Sequence, residues 1–325
     1  MDMKTRITEL LGIRHPIVMG GMQWIGRAKL AAAVSNAGAL GMVTARTQPN
    51  SDALRHEIDR TRALTAQPFG VNLTLSLMNE AVAYDDWVEA IVASGVKIVE
   101  TAGNNPRPVI EALKAHGVTV IHKCTAVRHA LSAERLGVDV ISMDSFEAAG
   151  HIGDGDVSGM VMIPTTVRAV KIPVIASGGI WGGRALAAAL VLGADGVNVG
   201  TRFILTEECE VHDNVKQTLR QGTELDTALV KRTLGRTARY FRNAVADEVL
   251  AMERRPGGAT WADMQDLLSG ARNRRALESG DVHAGLVCAS QAVAMIDDIP
   301  NCETLVARMV AEARSALAET QARYF

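Results

Sequence analysis

The stretch IPVIASGGIWGGRALAAALVLGADGVNVGTRF, residues 172–203, decides how this chain is read. It opens on the apolar run "IPVIASGG", 172–179, and passes into the helix-like "GGRALAAALVLG". It closes on a second apolar run, "DGVNVGTRF", 195–203. The two apolar runs carry little polar alternation, so each reads as a strand covered on both faces, the habit of a parallel sheet under helices. Strand, helix and strand therefore follow one another, with glycines marking both turns.

Moving towards the N-terminus, the same alternation recurs. Strand candidates lie at 16–21, 40–44, 69–75, 97–103, 119–125 and 139–145. Between them run "GRAKLAAAVSNAG", "SDALRHEIDRTRALT" with Ser51 as its N-cap, a helix near 85–95, "PRPVIEALKAHG" stopped by Gly117, "AVRHALSAERLG", and a helix near 158–170. Eight strands alternating with helices over roughly 200 residues is the count of a (β/α)8 TIM barrel. A doubly wound open sheet is the alternative, because periodicity does not show closure.

After Phe203 the alternation stops. Residues 208–275 read as helices without strands ("VHDNVKQTLRQG", "TALVKRTLG", "AVADEVLAMERR"), which predicts a helical insertion capping the C-terminal mouth. The barrel then comprises 1–207 and 276–325. Its last segment, "CETLVARMVAEARSALAET", is amphipathic and is expected to return onto the barrel wall.

Bulk composition agrees. A chain of 325 residues, 48% of them hydrophobic, can bury one large core, or one with a small appendage. A net charge of −2 offers no general attraction for nucleic acid or membrane surfaces. Cys124, Cys209, Cys288 and Cys302 lie far apart with no CxxC pair, so neither a disulfide framework nor a metal site is expected, and a reducing cytoplasm fits. The start, "MDMKTRITELLG", lacks the apolar core of a signal peptide, and no apolar run reaches the ~18 residues of a membrane span.

In such a barrel the chemistry sits at the C-terminal ends of the strands. Those ends carry Gly20 to Trp24 ("GGMQW"), Asn72 and Thr74, Lys123, the run Ala149-Gly150-His151, Ser177-Gly178-Gly179, and Gly200-Thr201. Glycines after the seventh and eighth strands let backbone N–H groups approach an anion, and a helix N-terminus adds a favourable dipole. "SGGIWGG" by itself is an ordinary glycine turn; paired with "GTRF" one unit later it reads as a phosphate corner. Lys123 has three readings: a cation reaching a cofactor, an imine-forming amine as in aldolases, or an ammonium that merely emerges at the strand end. Its neighbour His122 points to the opposite face. His151 stands on a glycine-rich rim where an imidazole can exchange a proton or orient an anion near neutral pH, against the plain alternative of a surface loop histidine. Asp154 and Asp156 read as solvated loop acids or helix N-terminal charge.

Together "HPIVMGGMQW", "FGVNLTL", "HKCTAVRHA", "AAGHIG", "IASGGI" and "LGADGVNVGTRF" make the chain resemble the nitronate monooxygenase family, formerly the 2-nitropropane dioxygenases, over residues 10–205 in order. The resemblance implies a barrel that binds FMN without covalent attachment. Gly21, Met22 and Gln23 would line the flavin, Asn72 and Thr74 would approach its ring or ribityl chain, and Lys123 its isoalloxazine. Ala149 and Gly150 would pass close to the cofactor. Ser177, Gly178, Gly179, Gly200 and Thr201 would cradle its phosphate, and His151 matches the catalytic histidine. The chain departs from the pattern at Met19, where many relatives carry Gln, and at Ala149, where the first Gly of "GGH" is usual. Its "AGH" with "CTAVRHA" is similar to relatives that reduce quinones with NADH, yet the loop "SLMNEAVAYDDW" lacks the prolines those relatives carry. Flavin enoyl-thioester reductases share "GGM" and "GHIG" as a more distant branch.

The leading expectation is an enzyme that oxidises alkyl nitronates with O2 to carbonyl compounds and nitrite, His151 lying near the nitro oxygens or removing the α-proton of a neutral nitroalkane. The alternative on the same FMN is an NAD(P)H:quinone reductase. A flavin-free, Lys123-based aldolase-like barrel and a non-catalytic ligand-binding module are the rivals from other classes. The oligomeric state stays open, a homodimer included.

Overall fold

A computed structural model describes residues 3–75, 84–104 and 106–324. In chain order the strands are β1 (Ile17–Met19), β2 (Gly41–Thr44), β3 (Phe69–Leu75), β4 (Ile98–Gly103), β5 (Thr119–Cys124), β6 (Val140–Asp144), β7 (Gly150–His151), β8 (Val174–Ser177), β9 (Gly196–Val199), β10 (Thr227–Val230) and β11 (Ala238–Phe241). Eight of them form one parallel sheet in the order β1-β9-β8-β6-β5-β4-β3-β2. Its two ends meet at a parallel bridge between Val18 and Leu40, with Met19 N donating to Leu40 O at 2.8 Å and Leu40 N to Ile17 O at 2.9 Å. The sheet thus closes as a (β/α)8 TIM barrel, each strand at or within a few residues of its expected position. β1, β2, β6, β8 and β9 are buried along their whole length, as strands walled by helices must be.

The wall helices have identifiable ends. Ser51–Leu64 is capped by Asn50, not Ser51: Asn50 lies in extended backbone and its side chain accepts from Ala53 N. Arg107–Ala115 stops before Gly117, whose φ of 67° reverses the chain. The final helix, Cys302–Tyr324, packs on Gly183–Val191. There a Cβ on Gly183 would lie 2.3 Å from the Met309 carbonyl, so only glycine permits this approach. Buried Arg202, just after β9, donates to Asp298 at 2.6 Å and ties the barrel exit to the returning chain.

The segment after the barrel corrects the expectation of helices alone. Helices Asp213–Arg220 and Ala244–Glu253 are present, but "TALV" and "ARYF" between them are the antiparallel pair β10 and β11. Alternation decides it: β10 buries Ala228 and Val230 and half-exposes the residues between, a period of two. These strands and the helix after them enclose a small core of their own, including Val230, Tyr240, Val249, Met264 and Leu286. The expected boundary at 275 falls inside the helix Gly270–Ser279, whose true stop is Gly280 at φ 79°. Residues 76–83, most of the loop used above to separate the branches, lie outside the described residues. Among the described residues, no helix is long and apolar enough to cross a membrane, and no cluster of His, Cys, Asp or Glu is placed to hold a metal ion.

Candidate active site

The floor of the mouth is polar and buried. Glu100, on β4, is fully enclosed. It accepts from Gly21 N at 2.9 Å, from Asn72 Nδ2 at 2.8 Å and from Asn198 Nδ2 at 3.0 Å. Asn198 also donates to Ser142, and Asn72 accepts from Thr74, whose residue reaches solvent. This network fixes the first strand exit: a Cβ on Gly21 would fall 2.0 Å from Asn72 Cγ, so the backbone lies flat on that side chain. Met22 is half-buried and Gln23 exposed at the rim. Replacing Glu100 with Gln leaves a buried N–H facing another donor and removes a charge beside Lys123. Such a loss is expected to cost about 2–4 kcal/mol, read as a lowered urea midpoint.

Lys123 faces this interior, with Nζ 3.5 Å from Asp144 Oδ1. Burial opposes its charge, but Asp144 and Glu100 outweigh burial and raise its pKa. It is therefore an ammonium at neutral pH, not the free amine that imine formation needs. His122 lies on the other face, 2.8 Å from Thr101 Oγ1, and burial lowers its pKa to about 4.

The glycine turns after β8 and β9 lie side by side. Register places Ser177 beside Asp144 and Asn198, and Met19 beside Val199, so the exits of β1, β6, β8 and β9 adjoin. Ser145 donates through N and Oγ to Ser177 O. Gly178 and Gly179 take φ of 109° and 70°, and a Cβ on Gly178 would lie 2.4 Å from Ser145 Oγ. Among the described residues, the N–H groups of Gly178, Gly179, Ile180 and Gly200 make no protein hydrogen bond. Thr201 Oγ1 accepts from Ser290 N, which leaves its own hydrogen to donate. A Cβ on Gly200 would meet only Met22 Sδ, at an ordinary contact distance of 3.7 Å. Convergent, unengaged donors on glycine backbone fit a phosphate.

His151 is where the structure adds most. It does not ride a loose rim: with Gly150 it forms β7, which pairs antiparallel with β11 in a three-stranded sheet, β10-β11-β7. Ala149 and Gly150 are half-buried, Gly150 at φ 69°. His151 reaches solvent, and its Nε2 lies 3.0 Å from Lys231 Nζ. Lys231 also donates to Tyr240 Oη at 3.2 Å. Crowding by the surrounding protein foremost, then Lys231 and Arg236, pushes the His151 pKa down to about 3. Asp154 and Asp156 are exposed loop acids, and each has a partner on the hairpin. Asp154 accepts from Thr237 N and Oγ1, and Asp156 pairs with Arg232 at 2.9 Å, clamping the histidine loop to the β10–β11 hairpin. Buried Arg239 adds a hydrogen bond to Phe146 O and lies over the Phe146 ring. Lys231, Tyr240 and Arg239 were missed from sequence; the signal available was "VKRTLGRTARYFR", five cations and no acid across 230–242.

The chain is similar to several known proteins. The family model described as nitronate monooxygenase matches residues 4–312. A Rhodococcus jostii protein named (3aS,4S,5R,7aS)-5-hydroxy-7a-methyl-1-oxo-octahydro-1H-indene-4-carboxyl-CoA dehydrogenase is 32% identical, with 96% of each chain covered. The structure of FabK from Thermotoga maritima superposes with a TM-score of 0.91 at 35% identity, covering 98% of this chain and 99% of that one. Nitroalkane oxidase from Streptomyces ansochromogenes gives 0.79 at 27% identity, covering 96% and 99%.

Proposed function

The chain belongs to the nitronate monooxygenase family, and from that membership we propose that it is an FMN-dependent oxidoreductase that oxidises alkyl nitronates with O2 to carbonyl compounds and nitrite. The observation that carries the reading is the His151–Lys231 pair at the mouth, beside a glycine cradle with unengaged donors. Ser177, Gly178, Gly179, Gly200 and Thr201 would hold the FMN phosphate. Gly21, Met22, Gln23, Asn72 and Thr74 would border the ring and ribityl chain, with Ala149 and Gly150 passing close by and the Lys123 ammonium facing the isoalloxazine. When bound, FMN supplies the electron-accepting chemistry. The protein's own part is to hold the substrate carbon in place and to stabilise its negative oxygens with donors at His151 and Lys231. Residues 208–275, as a cap over the mouth, would limit substrate size. The free cysteines suit a reducing, cytoplasmic setting.

Anaerobic mixing tests the reading: the flavin of the purified protein should bleach with ethylnitronate and not with NADH. Bleaching by NADH, followed by reoxidation with a quinone, would replace it with the NAD(P)H:quinone reductase reading.

One observation favours a second substrate class. A relative at 32% identity is named for a carboxyl-CoA substrate. The carbon beside a thioester, like that of a nitronate, carries charge onto an adjoining oxygen. Bleaching by an acyl-CoA but not by a nitronate would select this class.

A further inference from the structure

We propose that Lys231 sets the tautomer of His151 and so decides whether that imidazole gives or takes a proton. The proposal deepens the reading above and rests on it only for the identity of the substrate.

The geometry is specific. Lys231 holds a left-handed backbone, φ 65°, uncommon for a side-chain-bearing residue, and its N–H donates to Glu253 Oε2 at 3.0 Å. Its side chain is buried and spans to His151 Nε2 at 3.0 Å and Tyr240 Oη at 3.2 Å, with the ammonium 5.4 Å from the Tyr240 ring centre. The histidine cannot drift away, because Ala238 pairs with His151, Ile152 N donates to Thr237 O, and Asp154 and Asp156 are tied to the same hairpin.

An ammonium only donates. While Lys231 is charged, Nε2 must accept, so the imidazole hydrogen sits on Nδ1 and the ring offers the substrate an N–H. That state stabilises an anionic oxygen and cannot remove a proton. When Lys231 is a neutral amine it can accept from Nε2–H, and Nδ1 becomes a lone pair. The α-proton of a neutral carbon acid then moves to Nδ1, its bonding pair stays on carbon, and the Nε2 proton moves to the Lys231 nitrogen. Loss of one proton to water restores the pair.

The charged and titratable groups around Lys231 are His151, Arg236, Tyr240, Glu253 and Cys288. Burial foremost, with Arg236 adding to it and Cys288 and Glu253 opposing, lowers the Lys231 pKa to about 8. The exchange of roles therefore falls between neutral pH and about 9, the base form gaining as pH rises.

Nitrogen-15 spectra of the flavin-loaded protein, with His151→Asn identifying the signal, test this. The wild type should show Nδ1–H at pH 7 and Nε2–H at pH 9.5. Lys231→Met should show Nε2–H at both, with the ring pKa rising towards its ordinary value; Lys231→Arg should stay Nδ1–H at both. An Nε2–H ring in the wild type at pH 7, or a tautomer indifferent to Lys231→Met, overturns the proposal. In turnover, the rate on freshly dissolved nitroethane relative to ethylnitronate should rise about tenfold from pH 7 to 9 in the wild type. It should do so against Lys231→Arg, where the probe's own ionisation is the same. The expected tautomers with neither probe turned over would support the role of Lys231 and sink the nitronate reading instead.

Discussion

The Gly200→Asp variant is expected to purify colourless. Gly200 has a negative φ, and a Cβ there would make only an ordinary contact with Met22 Sδ, so the first carbon of a side chain brings neither backbone strain nor a clash. What it brings is a carboxylate into the cradle formed with Gly178, Gly179 and Thr201. Like charges about 4 Å apart in partly buried surroundings repel by roughly 4 kcal/mol. At about 1.4 kcal/mol per tenfold, FMN binding should weaken roughly 10²–10³-fold. Gly200→Ser, with the same space and no charge, should lose less than about tenfold. Fluorescence titration of FMN into the stripped proteins checks both. Equal affinity for wild type and Gly200→Asp would mean that the phosphate is held elsewhere.

His151→Asn is expected to split two substrates. A neutral nitroalkane must lose its α-proton, and loss of a positioned base costs about 10²–10⁴-fold. A preformed nitronate has no such proton to lose, so its turnover should fall by no more than about tenfold. Steady-state rates on nitroethane and ethylnitronate at one pH separate the cases. Equal losses would show that His151 positions substrate and does not act as a base.

The barrel could be read from sequence because its signal is local. Runs such as "DVISMDS" and "IPVIASGG" are apolar on both faces, and each glycine turn announces the next helix. The glycine turns proposed to hold a phosphate were legible for the same reason: glycines at two successive strand ends are visible without knowing the sheet order. The environment of His151 was not. Its partner Lys231 lies 80 residues away, and nothing near either residue points to the other. β10 and β11 were passed over because each is only a few residues long and polar Arg239 and Tyr240 within β11, and Lys231 just after β10, are buried. Periodicity arguments assign such polar residues to solvent, and burial of a cation is settled only by tertiary partners. Asp154 and Asp156 lie in an exposed loop, but their partners Thr237 and Arg232 were not legible, since a loop acid shows its partner only once the hairpin folds over it.

The two-residue strand carrying His151 belongs to the cap's sheet, although its sequence belongs to the barrel. On the proposed reading, the grip on the phosphate sits on the barrel strands and the handling of protons on the hairpin's sheet. Grafting the segment between Thr227 and Phe241 from one relative into another should then exchange reactivity while leaving flavin affinity almost untouched, which gives this scaffold a replaceable reaction head above a constant redox socket.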